Sequence, residues 1–280
     1  MSTKIFKKII NDIKAFDTLP KTMIFAGHGE PLTHPGIAFM VKYAKTKNTA
    51  GRIEIVSNGS LLTQQLSDSL IDADLDRLRI SLQGLDEEDY LRVCGKKIDF
   101  NEFLSQLEYF YHRKKEGDLL VKIIDIALKS PLDKERFHAI FDPICDKAQI
   151  EYLFPFIDSI DHQALGGIGQ NTKHGGGKVR QADICAMPFY MLVVLPTGNV
   201  TGCCAVQPPV IFGNIMYESL YEIWNGKKRR NFIEQQINGR KSNNVCRSCT
   251  VPDYGMQEGD YLDEHRSRLC ELWGGQSSVK

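Results

Sequence analysis

The sequence predicts an α/β chain in which a winding, mostly parallel sheet with helices outside it is followed by a small α+β domain. Three observations carry this. Strand-like and amphipathic segments alternate through residues 1–160. A glycine-rich stretch over 161–180, with Gly166-Gly167-Ile168-Gly169 and His174-Gly175-Gly176-Gly177, then interrupts the rhythm. Residues 181–280 change to a hairpin and short helices, and Cys185, Cys203, Cys204, Cys246, Cys249 and Cys270 lie there.

The elements follow in order. Ile5, Phe6, Ile9, Ile10 and Ile13 share one helical face. Residues 22–26 form a short buried strand that ends at Gly27-His28-Gly29, where His28 reads as a turn residue. A helix is expected over 35–47 and a strand over 52–56, ending at Ser57-Asn58-Gly59. Thr63 is the expected N-cap of a helix reaching Ala73. Residues 77–82 and 119–128 are strand-like, 100–115 and 132–147 helical, and 150–154 a last strand. After the linker, 189–195 and 200–205 flank the turn Pro196-Thr197-Gly198-Asn199 as a hairpin. Short helices are expected over 217–225 and 228–239.

The 280 residues carry 35 basic and 35 acidic side chains, so the formal net charge is zero. That argues against nucleic acid or an anionic membrane surface as a partner. The run Lys227-Lys228-Arg229-Arg230 is then a solvated face. No apolar run is long enough to span a bilayer, and the first residues lack the continuous apolar core of a signal peptide. A cytoplasmic location is expected, where cysteines more often serve metals or chemistry than disulfides.

Cys246-Arg247-Ser248-Cys249 is a C-x-x-C pair, a spacing that lets two thiolates reach one centre from a single turn. Cys185 precedes the hairpin and Cys203 lies at its far end, so the fold-back brings them together. Four such thiolates suit a structural zinc or an iron–sulfur cluster equally well. A redox dithiol is disfavoured because no thioredoxin-like βαβ unit surrounds the pair. Cys94, Cys145 and Cys270 are expected to be small buried apolar residues.

The C-terminal motifs carry a resemblance. Cys185-Ala-Met-Pro-Phe, Gly198 followed at five residues by Cys203, Phe212-Gly213-Asn214-Ile215, Glu222-Ile223-Trp224-Asn225 and the C-x-x-C pair together resemble the SPASM domain, or its shorter Twitch form, of radical S-adenosylmethionine (SAM) enzymes. The full pattern continues with thiols where this chain has Gly255 and Gly259, so the single-cluster form fits better. By resemblance Cys185, Cys203, Cys246 and Cys249 hold one auxiliary 4Fe-4S cluster, with Cys204 ranked below Cys203.

The first half is similar to the same family's barrel. Gly27-His28-Gly29-Glu30-Pro31 stands where the family has Gly-Gly-Glu-Pro after a strand, with His28 replacing a glycine. The resemblance makes Gly29, Glu30, Pro31, Ser57, Asn58 and Ser81, all near strand ends, the SAM-binding residues. It implies a partial (β/α)6 barrel lacking its first strand. The family's C-x3-C-x2-C for the catalytic cluster does not occur among the 8 cysteines. Two accounts are an internal Met taken as the start and a relic without radical chemistry. The first is favoured because an open sheet edge invites mispairing. The chain alone is expected to bind SAM weakly and not to cleave it.

In the family, one electron from a reduced cluster splits SAM, and the resulting 5′-deoxyadenosyl radical takes a hydrogen atom from substrate. An auxiliary cluster then accepts an electron, orients substrate or holds the domain. The resemblance thus implies an oxidoreductase acting on a small polyol or sugar-like molecule or a peptide, with an electron-donor protein as a further partner. A non-catalytic protein binding iron–sulfur or zinc is the alternative. No residue is assigned as catalytic. His174, in the linker, is a candidate substrate contact, while His34, His112, His138, His162 and His265 read as ordinary. Tyr254, Tyr261 and Trp273 are expected to cap the cysteine domain.

Overall fold

A computed structural model describes residues 1–27, 29–156 and 172–274. His28, His162 and the linker glycines 166, 167 and 169 lie outside the described residues. The chain falls into two units.

The order of elements begins with helix α1 (Thr3–Ile13), then β1 (Met23–Phe25), α2 (Ile37–Thr46), β2 (Ile53–Ser57), α3 (Gln64–Asp72), β3 (Arg77–Leu82), α4 (Glu87–Cys94), α5 (Phe100–Arg113), β4 (Asp118–Ile124), α6 (Pro131–Phe141) and β5 (Lys147–Glu151). Helix α7 (Met187–Tyr190), strands β6 (Val193–Val194), β7 (Asn199–Thr201) and β8 (Gly213–Asn214), and helices α8 (Leu220–Asn225), α9 (Lys227–Ile237), α10 (Asn244–Ser248), α11 (Val251–Tyr254) and α12 (Arg266–Trp273) complete it.

One unit comprises Asp17–Leu153. Its five strands are all parallel and stand in chain order, β1-β2-β3-β4-β5. Alternation along the strands separates the two faces. Ile53, Ile55, Leu78, Ile80, Leu119, Val121 and Ile123 are buried on one face and form the core with Leu70, Leu107, Phe110, Phe137 and Phe141. The opposite face is charged. Glu54 is almost fully buried and pairs with Arg79 and, at 3.4 Å, with Arg77. Lys122 meets Glu151 at 2.7 Å. A parallel sheet normally buries both faces as apolar runs, so this charge marks a face with another use.

Several boundaries differ from the sequence expectations. Thr63 does cap α3, accepting from Leu66 N at 3.1 Å. The strand expected over 119–128 ends at Ile124 in a 3-10 turn, Asp125–Ala127. The helix expected to reach 147 stops at Phe141, and β5 starts at Lys147 rather than 150. Pro143 lies in the intervening 3-10 turn, where its missing N–H ends α-helical bonding. Helix α4 was not expected; Asp86 caps it and Gly95, at φ 64°, closes it.

The other unit joins Met1–Phe16 to the C-terminal residues. Asp12 Oδ2 accepts from Leu220 N at 3.0 Å, one of the free amides at the start of α8, and Lys8 donates to Glu218 O just before it, so α1 docks on that helix's start. Phe16 packs edge-on against Tyr221 and Trp224. The hairpin is shorter than expected. Residues 187–190 form α7, with Pro188 in its first turn, and only Val193–Val194 pair with β7. Gly198 turns it at φ 86°, and a Cβ there would lie 2.9 Å from Asn214 Oδ1.

Arg229 departs from the solvated run expected for 227–230. It is 2% exposed, stacks 3.3 Å from the Trp224 ring centroid and donates to the carbonyls of Pro188, Trp224 and Phe189. Burial draws its pKa down to about 10. Cys145 is buried as expected, whereas Cys94 is exposed and bonds Tyr90 O.

Glu54→Ala is expected to lower the unfolding free energy by about 3 kcal/mol, measured by urea denaturation. That is the low end for breaking a buried pair, because Arg77 and Arg79 keep part of their hydration.

Candidate functional site

Two sets of residues meet at points where the sequence places chemistry. The first lies at the C-terminal ends of β1 and β2, where parallel α/β sheets bind ligands. Glu30 is its hub. Its Oε1 accepts from Ser57 Oγ at 2.7 Å and Leu32 N at 2.9 Å, and Oε2 accepts from Asn58 N at 2.8 Å. Ser57 Oγ in turn accepts from Gly59 N at 2.9 Å. Pro31 opens a 3-10 turn in which Thr33 Oγ1 donates to Glu30 O at 2.6 Å.

One carboxylate thus clasps the two strand-end loops together, each hydrogen bond to it being charge-assisted. Ser57 is 3% exposed. The structure brings Glu30, Pro31, Ser57 and Asn58 together, and Glu30 and Ser57 bond one another. Gly27, at φ 122°, and Gly29 leave backbone exposed with open space beside them. Ser81 stands on the charged face near the end of β3, in register with Lys122.

The second set is the cysteine site. Cys185, Cys203, Cys204, Cys246 and Cys249 line one cavity whose walls include Met187, Pro188, Phe232, Val245, Val251 and Pro252. Cys185 packs on a small core of Ala182, Ala186, Met256 and Tyr261. Tyr261, expected as a cap, is buried in that core, with Lys173 and Arg180 on its ring. His174 donates its backbone N–H to Tyr254 O and sets its ring edge-on to Phe154.

Local structure explains how each thiol is aimed. Asn243 caps α10, accepting from Val245 N at 3.0 Å and Cys246 N at 3.2 Å, which fixes Cys246 in the first helical turn. Asp263 Oδ1 accepts from Ile184 N at 2.8 Å, holding the residue before Cys185. The amides of Met187, Ala205 and Val251, each two residues past its cysteine, donate to Cys185, Cys203 and Cys249. Gln236, fully buried, offers Nε2 to Cys246 Sγ at 3.8 Å.

Burial pushes the Cys185 thiol up to about 12 and those of Cys203 and Cys246 to about 11, and raises Cys249. Neighbouring thiols add to each rise. Four thiolates crowded together repel unless a cationic centre lies among them. Among the described residues no three His, Cys, Asp or Glu side chains converge closely enough for a single metal ion. Four cysteinyl sulfurs lining one cavity are the soft donor set that a cluster of several irons, each bound by one sulfur, or a tetrahedral zinc requires.

Sequence reasoning missed Arg240, which is buried, lines the cavity and donates to the carbonyls of Cys246 and Cys249 at 2.8 and 2.5 Å. It also missed Asp253, its ion-pair partner at 3.0 Å. Nothing in the run Gly239-Arg240-Lys241 distinguishes it from surface sequence.

The model of the radical SAM superfamily matches residues 3–136, and that of the SPASM iron–sulfur cluster-binding domain matches 185–250. The AdoMet-dependent heme synthase of Methanosarcina barkeri is 23% identical over 310 residues, covering 94% of this chain and 86% of that protein. The dTDP-4-amino-4,6-dideoxy-D-glucose ammonia-lyase of Streptomyces venezuelae is 27% identical over 143 residues, which is 51% of this chain but only 29% of the lyase. Among solved structures, BtrN in complex with AdoMet and 2-DOIA superposes with a TM-score of 0.53 at 18% identity, covering 89% of this chain and 80% of BtrN.

Glu30→Ala is expected to cost about 1–3 kcal/mol by leaving buried donors unpaired. Hydrogen exchange should show the Leu32 and Asn58 amides losing protection together. A second expectation concerns pH in the metal-free protein. Thiols of ordinary pKa 9.0 are raised to about 11–12 by folding, so the stability from keeping them neutral is full below pH 9 and lost as pH rises through 11–12. The urea midpoint should fall over that window, and less steeply in Cys185→Ala.

Proposed function

The chain belongs to the radical SAM superfamily and carries its SPASM iron–sulfur domain, and on that premise we propose that it is an oxidoreductase with one auxiliary 4Fe-4S cluster. Cys185, Cys203, Cys246 and Cys249 hold that cluster, and the substrate is a small polyol or sugar-like molecule. Iron–sulfur clusters and SAM are the family's cofactors. The observation that carries the cluster assignment is that these four thiols line a single cavity. Cys204 lines it too and is the reserve ligand.

The residues present fit such a group. Soft sulfur donors match its irons, and three backbone amides and Gln236 stand ready to bond the sulfurs once they are thiolates. Pro188, Phe232, Val245, Val251 and Pro252 give the cavity apolar walls. When bound, the cluster supplies one-electron transfer. At the other site, the exposed backbone of Gly27 and Gly29, with Pro31, Ser57, Asn58 and Ser81, receives SAM. Glu30 acts there as the clasp of the two loops rather than as a free ligand group. The 280 residues hold no C-x3-C-x2-C, so for this chain the reading concerns the auxiliary centre, the SAM-binding strand ends and the substrate face.

A polar substrate is supported by the charged face of the sheet, where Arg79, Ser81, Lys122 and Glu151 offer donors and acceptors. The ammonia-lyase relative bears a nucleotide-linked sugar in its name, which favours a sugar-like molecule over a peptide.

The test is iron, sulfide and zinc analysis with a visible spectrum on anaerobically purified protein. About four irons and four sulfides per chain are expected, lost when Cys246 and Cys249 are changed to Ala. One zinc without sulfide would overturn the cluster assignment and leave a structural knuckle.

A further inference from the structure

Resting on the reading of the four cysteines as cluster ligands, we propose that Arg240 and Asp253 form a positioning and charge-setting pair for that centre. Arg240 holds the ligand-bearing segments in place and supplies positive charge to the anionic cluster, and Asp253 moderates that charge.

Arg240 is 2% exposed, and each of its five N–H donors has a partner. Nε donates to Ala182 O at 2.7 Å, three residues before Cys185. Nη1 donates to Cys246 O at 2.8 Å and Cys249 O at 2.5 Å. Nη2 donates to both Asp253 oxygens at 3.1 and 3.0 Å. Asp253 Oδ1 also accepts from Ala182 N at 2.8 Å, so the pair grips both polar groups of that residue. One guanidinium therefore ties the Cys185 segment to both ends of the C-x-x-C turn. Three of its five bonds go to main-chain carbonyls, which a lysine ammonium cannot reach together with a planar fork.

The charges also stand beside the sulfurs: Arg240 lines the same cavity as Cys185, Cys203, Cys246 and Cys249, and Asp253 pairs with it at 3.0 Å. A cluster with four thiolates is an anion that gains one more negative charge on reduction. Positive charge nearby favours the reduced form, and negative charge opposes it. Arg229 differs. Its hydrogen bonds go to carbonyls of Pro188, Phe189 and Trp224, and its rings are Trp224 and Trp273, so it serves as a packing post for α7 and α8.

The experiment reconstitutes the full chain with iron and sulfide under anaerobic conditions and titrates the cluster's reduction potential by electron paramagnetic resonance. The variants are Arg240→Gln, Arg240→Lys and Asp253→Asn. Asp253→Asn keeps one accepting oxygen, enough for Ala182 N and Arg240 Nη2, and is expected to load iron fully with a potential shifted upward. Arg240→Gln is expected to lose iron and shift what remains downward. Arg240→Lys is expected to lose iron with little shift, which separates positioning from charge. Opposite shifts in Asp253→Asn and Arg240→Gln would not arise from a purely structural pair. If Arg240→Gln does not fold, Asp253→Asn decides alone: an upward shift at full loading supports the proposal. Full loading and an unchanged potential in Asp253→Asn overturn the charge role even if the cluster is present. Full loading in both Arg240 variants overturns the positioning role. A wild-type chain that takes up no sulfide overturns the ligand reading itself, a failure distinct from either.

Discussion

Arg240 sits where the distant segment before Cys185 must meet the nearby C-x-x-C turn, and the C-terminal unit is organised by what that side chain requires. A buried guanidinium is costly unless every N–H finds an acceptor and its charge finds a partner. Ala182, Cys246 and Cys249 supply the carbonyls and Asp253 the charge. Meeting those needs brings the strand of chain before Cys185 against the C-x-x-C turn. The residues around it then follow. Asp263 holds residues 183 and 184, Tyr261 fills the gap beneath Cys185, and Lys173 and Arg180 cover that ring.

The same economy operates at the strand ends of the sheet unit with the opposite charge. Glu30 bonds a hydroxyl and two backbone amides, and so joins the loop after β1 to the loop after β2. A carboxylate engaged this fully is part of the scaffold. What it leaves for a ligand is the bare glycine backbone beside it, where close approach costs nothing in sterics. On the sheet itself, alternation puts aliphatic side chains under the helices and Glu54, Arg79, Lys122 and Glu151 on the other side. An uncompensated buried charge is not tolerated, so each is paired, and each pair is held in register by the parallel ladder.

Much of the fold was legible because it rests on local periodicity. Aliphatic runs at 52–56, 77–82 and 119–128 announce strands, and the spacing of Ile5, Phe6, Ile9, Ile10 and Ile13 announces α1. Thr63 and Gly198 are legible for the same reason, since an N-cap hydroxyl and a positive φ are properties of a few neighbouring residues. Boundaries were less legible. Pro143 and the short α7 depend on how neighbouring segments compete for the same backbone groups.

The sequence by itself determined the alternating α/β order, the hairpin turn, the C-x-x-C pair and the motifs near Glu30 and Ser57, because spacing and residue type survive without a partner. Only the tertiary structure decided that Glu30 bonds Ser57 and Asn58, that α1 packs on α8, that Arg229 is buried, and that Arg240 and Asp253 stand behind the thiols. Those are contacts across tens to hundreds of residues of chain. An arginine that must be buried and one that must be hydrated are the same letter, and only the acceptors that folding gathers around it tell them apart.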